Sequence, residues 1–296
     1  MEKNGISVVV PMLNSERYIE KCVMSILAQG SVVKEVICVD NGSEDNTKDI
    51  VTRMQKSDGR IKFLRCKQKG VSAARNFGMK QVSGKYILFV DSDDYLKSKK
   101  LQKLYKKAVK ADADILVFGG TSTEPLKTPH WVRRVLSPQK RICRMKECDN
   151  IFALRGVLPA TWNKIYKAEV LEGLTFSEQL RIAEDKLFQF CAFMCAEKTV
   201  FVKDRIYVYR INPDSVMNKA EQREKEEQHI LAMHLAEDWL NSRNPDSEGL
   251  NNLKNFKETF SEQEVVQGRF RKYMFYIRNY GLRSFAEFAL GQVFHK

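Results

Sequence analysis

At 296 residues the chain can hold one large domain or two of ordinary size, and a hydrophobic content of 43% allows a real core. Fifty Lys and Arg against 37 Asp and Glu give a net charge of +13, which favours acidic partners (nucleotides, nucleic acid or an anionic membrane face) without choosing among them. Seven cysteines with no Cys-x-x-Cys pair suggest neither a disulfide framework nor a zinc cluster.

Ile6 to Val10 reads as a strand stopped by Pro11, with a helix following from about Asn14 whose buried stripe is Ile19, Cys22, Val23, Ile26 and Leu27. Val36 to Val39 reads as a second buried strand ending in Asp40, and Asn41-Gly42-Ser43 as a turn into a helix over roughly 46–55. A third strand over 61–65 precedes a helix from about Ser72 to Gln81. This alternation with short turns predicts an α/β fold with a mostly parallel sheet covered on both faces.

Tyr86 to Val90 then forms a fourth apolar run, and it ends abruptly in Asp91-Ser92-Asp93-Asp94. Ligands of open α/β sheets bind outside the carboxyl ends of the strands, and in extended chain Asp91 and Asp93 point to one side. Two converging carboxylates suit Mg²⁺ or Mn²⁺, which complete their shell with substrate phosphates. Taken alone, the same residues read equally well as a solvated acidic turn.

A helix carrying Leu101, Leu104, Tyr105 and Ala108 follows, its lysine-rich opposite face read as solvated, and then a strand over 114–118. Residues 121–150 lack period and contain Pro125, Pro129 and Pro138; they read as a long excursion over the active face, a lid or acceptor-binding loop. Cys191 and Cys195 read as core packing in a helix beginning near Glu184, and residues 221–227 open a charged helix.

Four segments in order and spacing, Val8 to Asn14, Val39 to Thr47, Gly70 to Gly78 and Asp91 to Asp94, resemble family-two inverting glycosyltransferases with the GT-A fold, of the kind that build bacterial surface polysaccharides. The resemblance covers about residues 5–210. It implies transfer of a sugar from a nucleotide-sugar donor, most often a UDP-sugar, with a divalent cation, Mn²⁺ or Mg²⁺. By that resemblance Pro11, Leu13, Glu16, Asp40, Arg75, Asp91 and Ser92 meet the donor, with Asp40 at the uracil and Arg75 on the base or diphosphate side. Asp93 and Asp91 hold the metal and diphosphate. The chain departs from the family pattern at Leu13, where an aromatic residue is common, at Asn41, where Asp is frequent, and at Gln68, where Asn is; each bears on how the base is recognised.

Inverting transfer needs one base to take the acceptor proton, and the Glu184-Asp185 pair at the start of a helix supplies a candidate. In the family an Asp at such a pair is the base, so Asp185 takes that role and Glu184 orients it or contacts the acceptor. The bland reading of the pair is a favourable interaction with the helix dipole. Trp162 reads either as a sugar platform or as a core residue at a strand or helix start, and Lys164 as a group for phosphate or acceptor.

The expected organisation is a GT-A domain over 1–215, with a nucleotide-sugar half (1–96) and an acceptor half (97–215), followed by a helical extension over 216–296. Residues 265–296 mix Arg and Lys with Phe and Tyr, so they read either as a peripheral contact with an anionic membrane or as helices packed on the domain. A saccharide or lipid-linked acceptor, a cytoplasmic location, at the inner membrane face if that contact holds, and no nucleic-acid partner are expected. The rival readings are a nucleotidyltransferase that makes sugar nucleotides, and a non-catalytic protein that binds anionic surfaces through its charge.

Overall fold

The computed structural model describes residues 4–264, apart from 98, 145–150, 155, 158, 213–220 and 244–245. The strands β1 (Ile6–Met12), β2 (Val33–Asp40), β3 (Ile61–Arg65), β4 (Tyr86–Phe89), β5 (Tyr95–Leu96), β6 (Ile115–Ser122), β7 (Arg141–Arg144), β8 (Lys164–Lys167) and β9 (Lys198–Tyr209) form one sheet. Their order is β3-β2-β1-β4-β8-β6-β9-β5, with β7 pairing β9. The first four strands run parallel. Strand β8 enters antiparallel between β4 and β6, and β9 runs parallel to β6. The carboxyl ends of β1, β2, β4, β6 and β9 therefore meet at one edge, which is where the acids were expected.

Alternation along the central strands feeds two cores. Val8, Val10 and Met12 face a layer made by α1 (Ile19–Leu27), α2 (Thr47–Ser57), α4 (Leu101–Ala111) and α5 (His130–Val135). Val9, Ile37, Val39 and Phe89 face α3 (Val71–Met79), α6 (Glu184–Cys195), α7 (Gln222–Asn241) and α8 (Ser247–Glu264). Buried Ala232, Ala236, Leu240, Leu253 and Phe256 of the last two helices belong to that second core. The helices after 216 thus complete the domain's own core, whereas the sequence reading set them apart as an extension. The basic and aromatic residues of 265–296 lie outside the described residues. Among the described residues no helix is long and apolar enough to cross a membrane.

Three local expectations change. Pro11 lies inside β1, opposite Val39. Val9 accepts from the Val90 N–H on the β4 side, and pairing with β4 ends there, so two residues on Pro11 lacks its N–H where no partner waits. Helix α1 starts at Ile19 and not near Asn14, because Asn14 turns left-handed at φ 48° and the Ser15 N–H is drawn to Thr47 Oγ1 at 2.7 Å. The stretch read as an excursion contains α5, whose Val132 and Val135 are buried, and β7, which pairs β9; residues 145–150 lie outside the described residues. Cys191 is buried as expected, but Cys195 is exposed.

Close packing of α3 against the sheet depends on a missing side chain. A Cβ on Gly78 would stand 2.6 Å from Val9 Cγ1 and 3.1 Å from Val39 Cγ2. Gly78→Ala should therefore destabilise the fold by about 1–3 kcal/mol, read as a lower midpoint in urea, because both neighbours sit in the filled core.

Candidate active site

The site is assembled around one guanidinium. Arg75 projects from α3 and is only 4% exposed. Its Nη1 donates to Asp185 Oδ1 at 2.8 Å and to Glu184 Oε1 at 3.1 Å, and its Nη2 donates to Asp91 Oδ1 at 3.1 Å. The acids of the β4 end and those of α6 thereby meet on a single cation. A planar fork with several donors can do this, whereas a point charge cannot.

Local structure explains why α6 arrives here. Asn76, the next residue of α3, donates to the Phe176 carbonyl at 2.9 Å and accepts from the Phe176 N–H at 2.7 Å, which fixes that loop to α3. Phe176 stacks on Phe188 of α6 with centroids 3.8 Å apart, and Arg75 Cζ lies 5.2 Å from the Phe176 ring. Ala183 then takes a left-handed turn at φ 66°, and α6 begins with both acids in its first turn. Such a backbone costs a non-glycine residue of the order of 1 kcal/mol, a local strain that delivers Glu184 and Asp185 to Arg75.

Burial pushes the Asp185 carboxyl up to about 8 against the pull of Arg75, and the charges of Glu184 and Asp91 add to the rise. Burial alone would depress Arg75, but Asp185, Asp91 and Glu184 more than offset it and hold the guanidinium protonated. Asp93 is raised by burial and then by the charge of Asp91.

That repulsion is of the kind a cation relieves. Among the described residues no cluster of three or more metal-ligating side chains exists. Two carboxylates nevertheless fit Mg²⁺ or Mn²⁺, which take one or two such ligands and complete the shell with phosphate oxygens.

A second network joins the loops at the ends of β1 and β2. Glu16 N donates to Asp45 Oδ2 at 3.0 Å, while Glu16 Oε2 accepts from Asn46 N at 3.1 Å and Asn46 Nδ2 at 2.7 Å. Ser15 and Ser92 share a hydroxyl contact of 2.7 Å, tying this pair of loops to the acidic turn. Asn41 donates to the Gln68 carbonyl and accepts from the Gly70 N–H, both at 2.7 Å. An acid at this position would have to be protonated to make both bonds, which gives the departure at Asn41 a physical reason.

The model of the family described as "Glycosyl transferase family 2" matches residues 7–174. The chain belongs to glycosyltransferase family 2. It is 34% identical over 218 residues to the uncharacterised glycosyltransferase EpsJ of Bacillus subtilis, covering 71% of this chain and 62% of that protein. It is 31% identical over 221 residues to glycosyltransferase GlyG of Streptococcus pneumoniae, covering 72% of each. It spans only 31% of S. pneumoniae GlyA. Among solved structures, Staphylococcus aureus TarS 1–349 in complex with UDP-GlcNAc superposes with a TM-score of 0.71 at 24% identity, over 91% of this chain and 75% of that one. The Pyrobaculum calidifontis mannosyltransferase in complex with GDP-Man and Mn²⁺ gives 0.62 at 14% identity, over 99% and 81%. These likenesses show the GT-A fold.

Within this family-two fold the expected site residues divide. Arg75, Asp91, Glu184 and Asp185 come together, with Ser92 and Asp93 in the same acidic turn. Arg75, expected on the base or diphosphate side, reaches the carboxylates of Asp91, Glu184 and Asp185. Leu13 is 53% exposed just past β1 and open to a ligand. Pro11 is buried in the strand. Asp40 is 1% exposed and accepts from the Ser43 N–H at 3.1 Å, so in this conformation it caps its own turn. Glu16 is committed to Asn46.

Trp162 is 3% exposed and stacked on Tyr207 with centroids 4.4 Å apart; of its two readings the core one holds, and no open ring face remains for a sugar. Lys164 is fully buried, its amine spent on the Ala160 carbonyl and Asn163 Oδ1. Burial drives its pKa well down, so it is not the exposed cation expected for an acceptor or phosphate. The sequence reading missed Asn76, Glu178, Tyr207 and Asn212. Glu178 accepts from Asn76 Nδ2 at 3.1 Å and from Gln68, and Asn212 donates to Asp93 Oδ2 at 3.0 Å. Only Asn76 carried a signal, its place beside Arg75 in the quoted motif.

Proposed function

We propose that this chain transfers a sugar with inversion from a UDP-sugar to a hydroxyl of a saccharide or lipid-linked acceptor, in the building of a bacterial surface polysaccharide. The observation that carries the reading is the convergence of Asp91 and Asp185 on Arg75, which sets a donor-side acid and an acceptor-side acid at one point of the sheet edge. The TarS complex with UDP-GlcNAc supports the donor class. Relatives named as a poly(ribitol-phosphate) beta-glucosyltransferase and as a GalNAc(5)-diNAcBac-PP-undecaprenol beta-1,3-glucosyltransferase support the acceptor classes.

Asp185 lies beyond the matched span of 7–174, so its role rests on geometry. Its carboxylate takes the proton of the acceptor hydroxyl as that oxygen attacks the anomeric carbon on the side opposite the diphosphate. The bond from the anomeric carbon to the diphosphate oxygen breaks, and the electron pair leaves with the nucleoside diphosphate. One base suffices for this displacement. Arg75 holds Asp185 in place through Oδ1. When bound by Asp93 and Asp91, a divalent cation supplies neutralisation of the charge gathering on the leaving diphosphate.

The test is release of UDP from a panel of UDP-sugars with Mn²⁺ or Mg²⁺ and with a chelator, followed by NMR of the glycoside formed. UDP is expected only with the metal, and the new linkage with inverted configuration. Full activity in chelator would sink the metal assignment, and a retained anomer the mechanism.

A further inference from the structure

We infer that Tyr207 is a positioning residue for the acidic turn 91–94, with Trp162 acting behind it as its support. The inference rests on the reading of that turn as the donor and metal site.

Asp91-Ser92-Asp93-Asp94 packs three carboxylates into one turn, closed by the Asp94 N–H on the Asp91 carbonyl at 3.0 Å. Nothing in such a turn fixes the direction of its side chains, and their mutual repulsion works against a convergent arrangement. Asp94 is 2% exposed, so it is withheld from solvent and from a ligand. Its Oδ2 accepts from the Tyr207 hydroxyl at 2.5 Å and its Oδ1 from the Arg210 N–H at 2.6 Å. The same hydroxyl accepts from the Asp91 N–H at 3.4 Å. One phenol oxygen therefore ties the first residue of the turn to the last, with its donor and an acceptor position both in use.

The phenol is itself held. Tyr207 is fully buried, its backbone pairs with Leu96 of β5 directly after the turn, and its ring lies on Trp162 at an interplanar angle of 15°. Just past β9, Arg210 Nε donates to the Asp93 carbonyl at 2.7 Å and Asn212 to the Asp93 carboxylate. The end of β9 thus acts as a template against which the turn is cast. Phenylalanine at 207 keeps the ring and the stack but can neither donate to Asp94 nor accept from Asp91. Both ends of the turn are then released while the core stays filled.

The experiment uses the full chain and follows binding. Mn²⁺ affinity is measured by EPR of free Mn²⁺ in the presence of UDP, and UDP affinity is measured separately without metal. Tyr207→Phe is expected to weaken Mn²⁺ binding by about 10–100-fold, as loss of an outer-shell partner does, and to change metal-free UDP binding by less than about twofold. Trp162→Ala should move Mn²⁺ affinity the same way, and Trp162→Phe, which restores a ring to stack on, should recover most of it. Asp94→Asn serves as the second route to the same loss, since one amide oxygen cannot accept from both the Tyr207 hydroxyl and the Arg210 N–H as the two carboxylate oxygens do, and the aromatic pair is untouched. Wild-type Mn²⁺ affinity in a folded Tyr207→Phe or Asp94→Asn protein overturns the inference and leaves the donor site standing. Equal loss of metal and metal-free UDP binding also overturns it, because that marks general disruption. If the wild-type protein itself binds no Mn²⁺ with UDP, the donor-site reading fails and Tyr207 falls with it.

Discussion

Asp185→Asn should cut sugar transfer steeply while leaving the nucleotide bound. A general base contributes about 10²–10⁴-fold to a rate, and asparagine keeps the size and the oxygen that faces Arg75 but cannot take a proton. The Arg75 contact through Oδ1 is therefore preserved in geometry. UDP binding by calorimetry should stay close to wild type, and the loss should fall on kcat. Parallel loss of UDP binding would make Asp185 a structural residue and sink its assignment as the base.

The wild-type pH profile gives an independent check. Burial holds the Asp185 carboxyl up to about 8, so the fraction able to act as base falls as the pH drops below that region. The kcat/KM limb attributable to Asp185 should rise with pH through that region, far above the ordinary carboxylate range of about 4. Asp185→Asn should flatten the limb. A kcat/KM limb near 4 would mean that Asp185 is an ordinary carboxylate in the free enzyme and would overturn this prediction.

Much of the framework was readable before any coordinates. The first-half strands and helices follow from uninterrupted β-branched runs and from apolar residues three and four apart, signals that are local to the chain. Asp91, Asp93 and Arg75 were legible because their motifs lie at strand ends or at the start of a helix. The convergence of Arg75 with Glu184 and Asp185 was not, because it depends on a left-handed Ala183 and a phenylalanine stack that no periodicity announces. Trp162 and Lys164 show the opposite failure. Both residue types are plausible at a sugar site, and only the arrival of β9 beside β6 reveals that the Trp162 ring face is already covered by Tyr207. Tyr207 drew no reading at all, since alternation says which face a strand residue occupies and nothing about which carboxylate its hydroxyl meets. Pro11 marks the subtler case: the residue chosen as a strand stop sits inside the strand, because the stop belongs to only one of its two neighbours.

Arg75→Met should be among the most destabilising substitutions in the chain and should leave no activity. Arg75, 4% exposed, neutralises side chains that are 30% (Asp91), 13% (Glu184) and 22% (Asp185) exposed. Removing one partner of a buried ion pair typically costs about 3–5 kcal/mol, because the partners left behind stay desolvated and uncompensated. Methionine fills most of the volume, so the loss measured by urea unfolding reports the charges and not a cavity. Arg75→Lys separates charge from shape. An ammonium returns the cation but has no fork to span Asp91 on one nitrogen and the α6 acids on the other, so stability should recover in part and transfer should not. The pairwise origin of the effect is tested by combining Arg75→Met with Asp185→Asn. Asp185→Asn in the wild type perturbs a contact with Arg75 that no longer exists once Arg75 is gone, so the double variant should be less destabilised than the two single changes added together. Strict additivity would mean that Arg75 is held by its packing on Phe176, and that its convergence with Asp185 carries no energy.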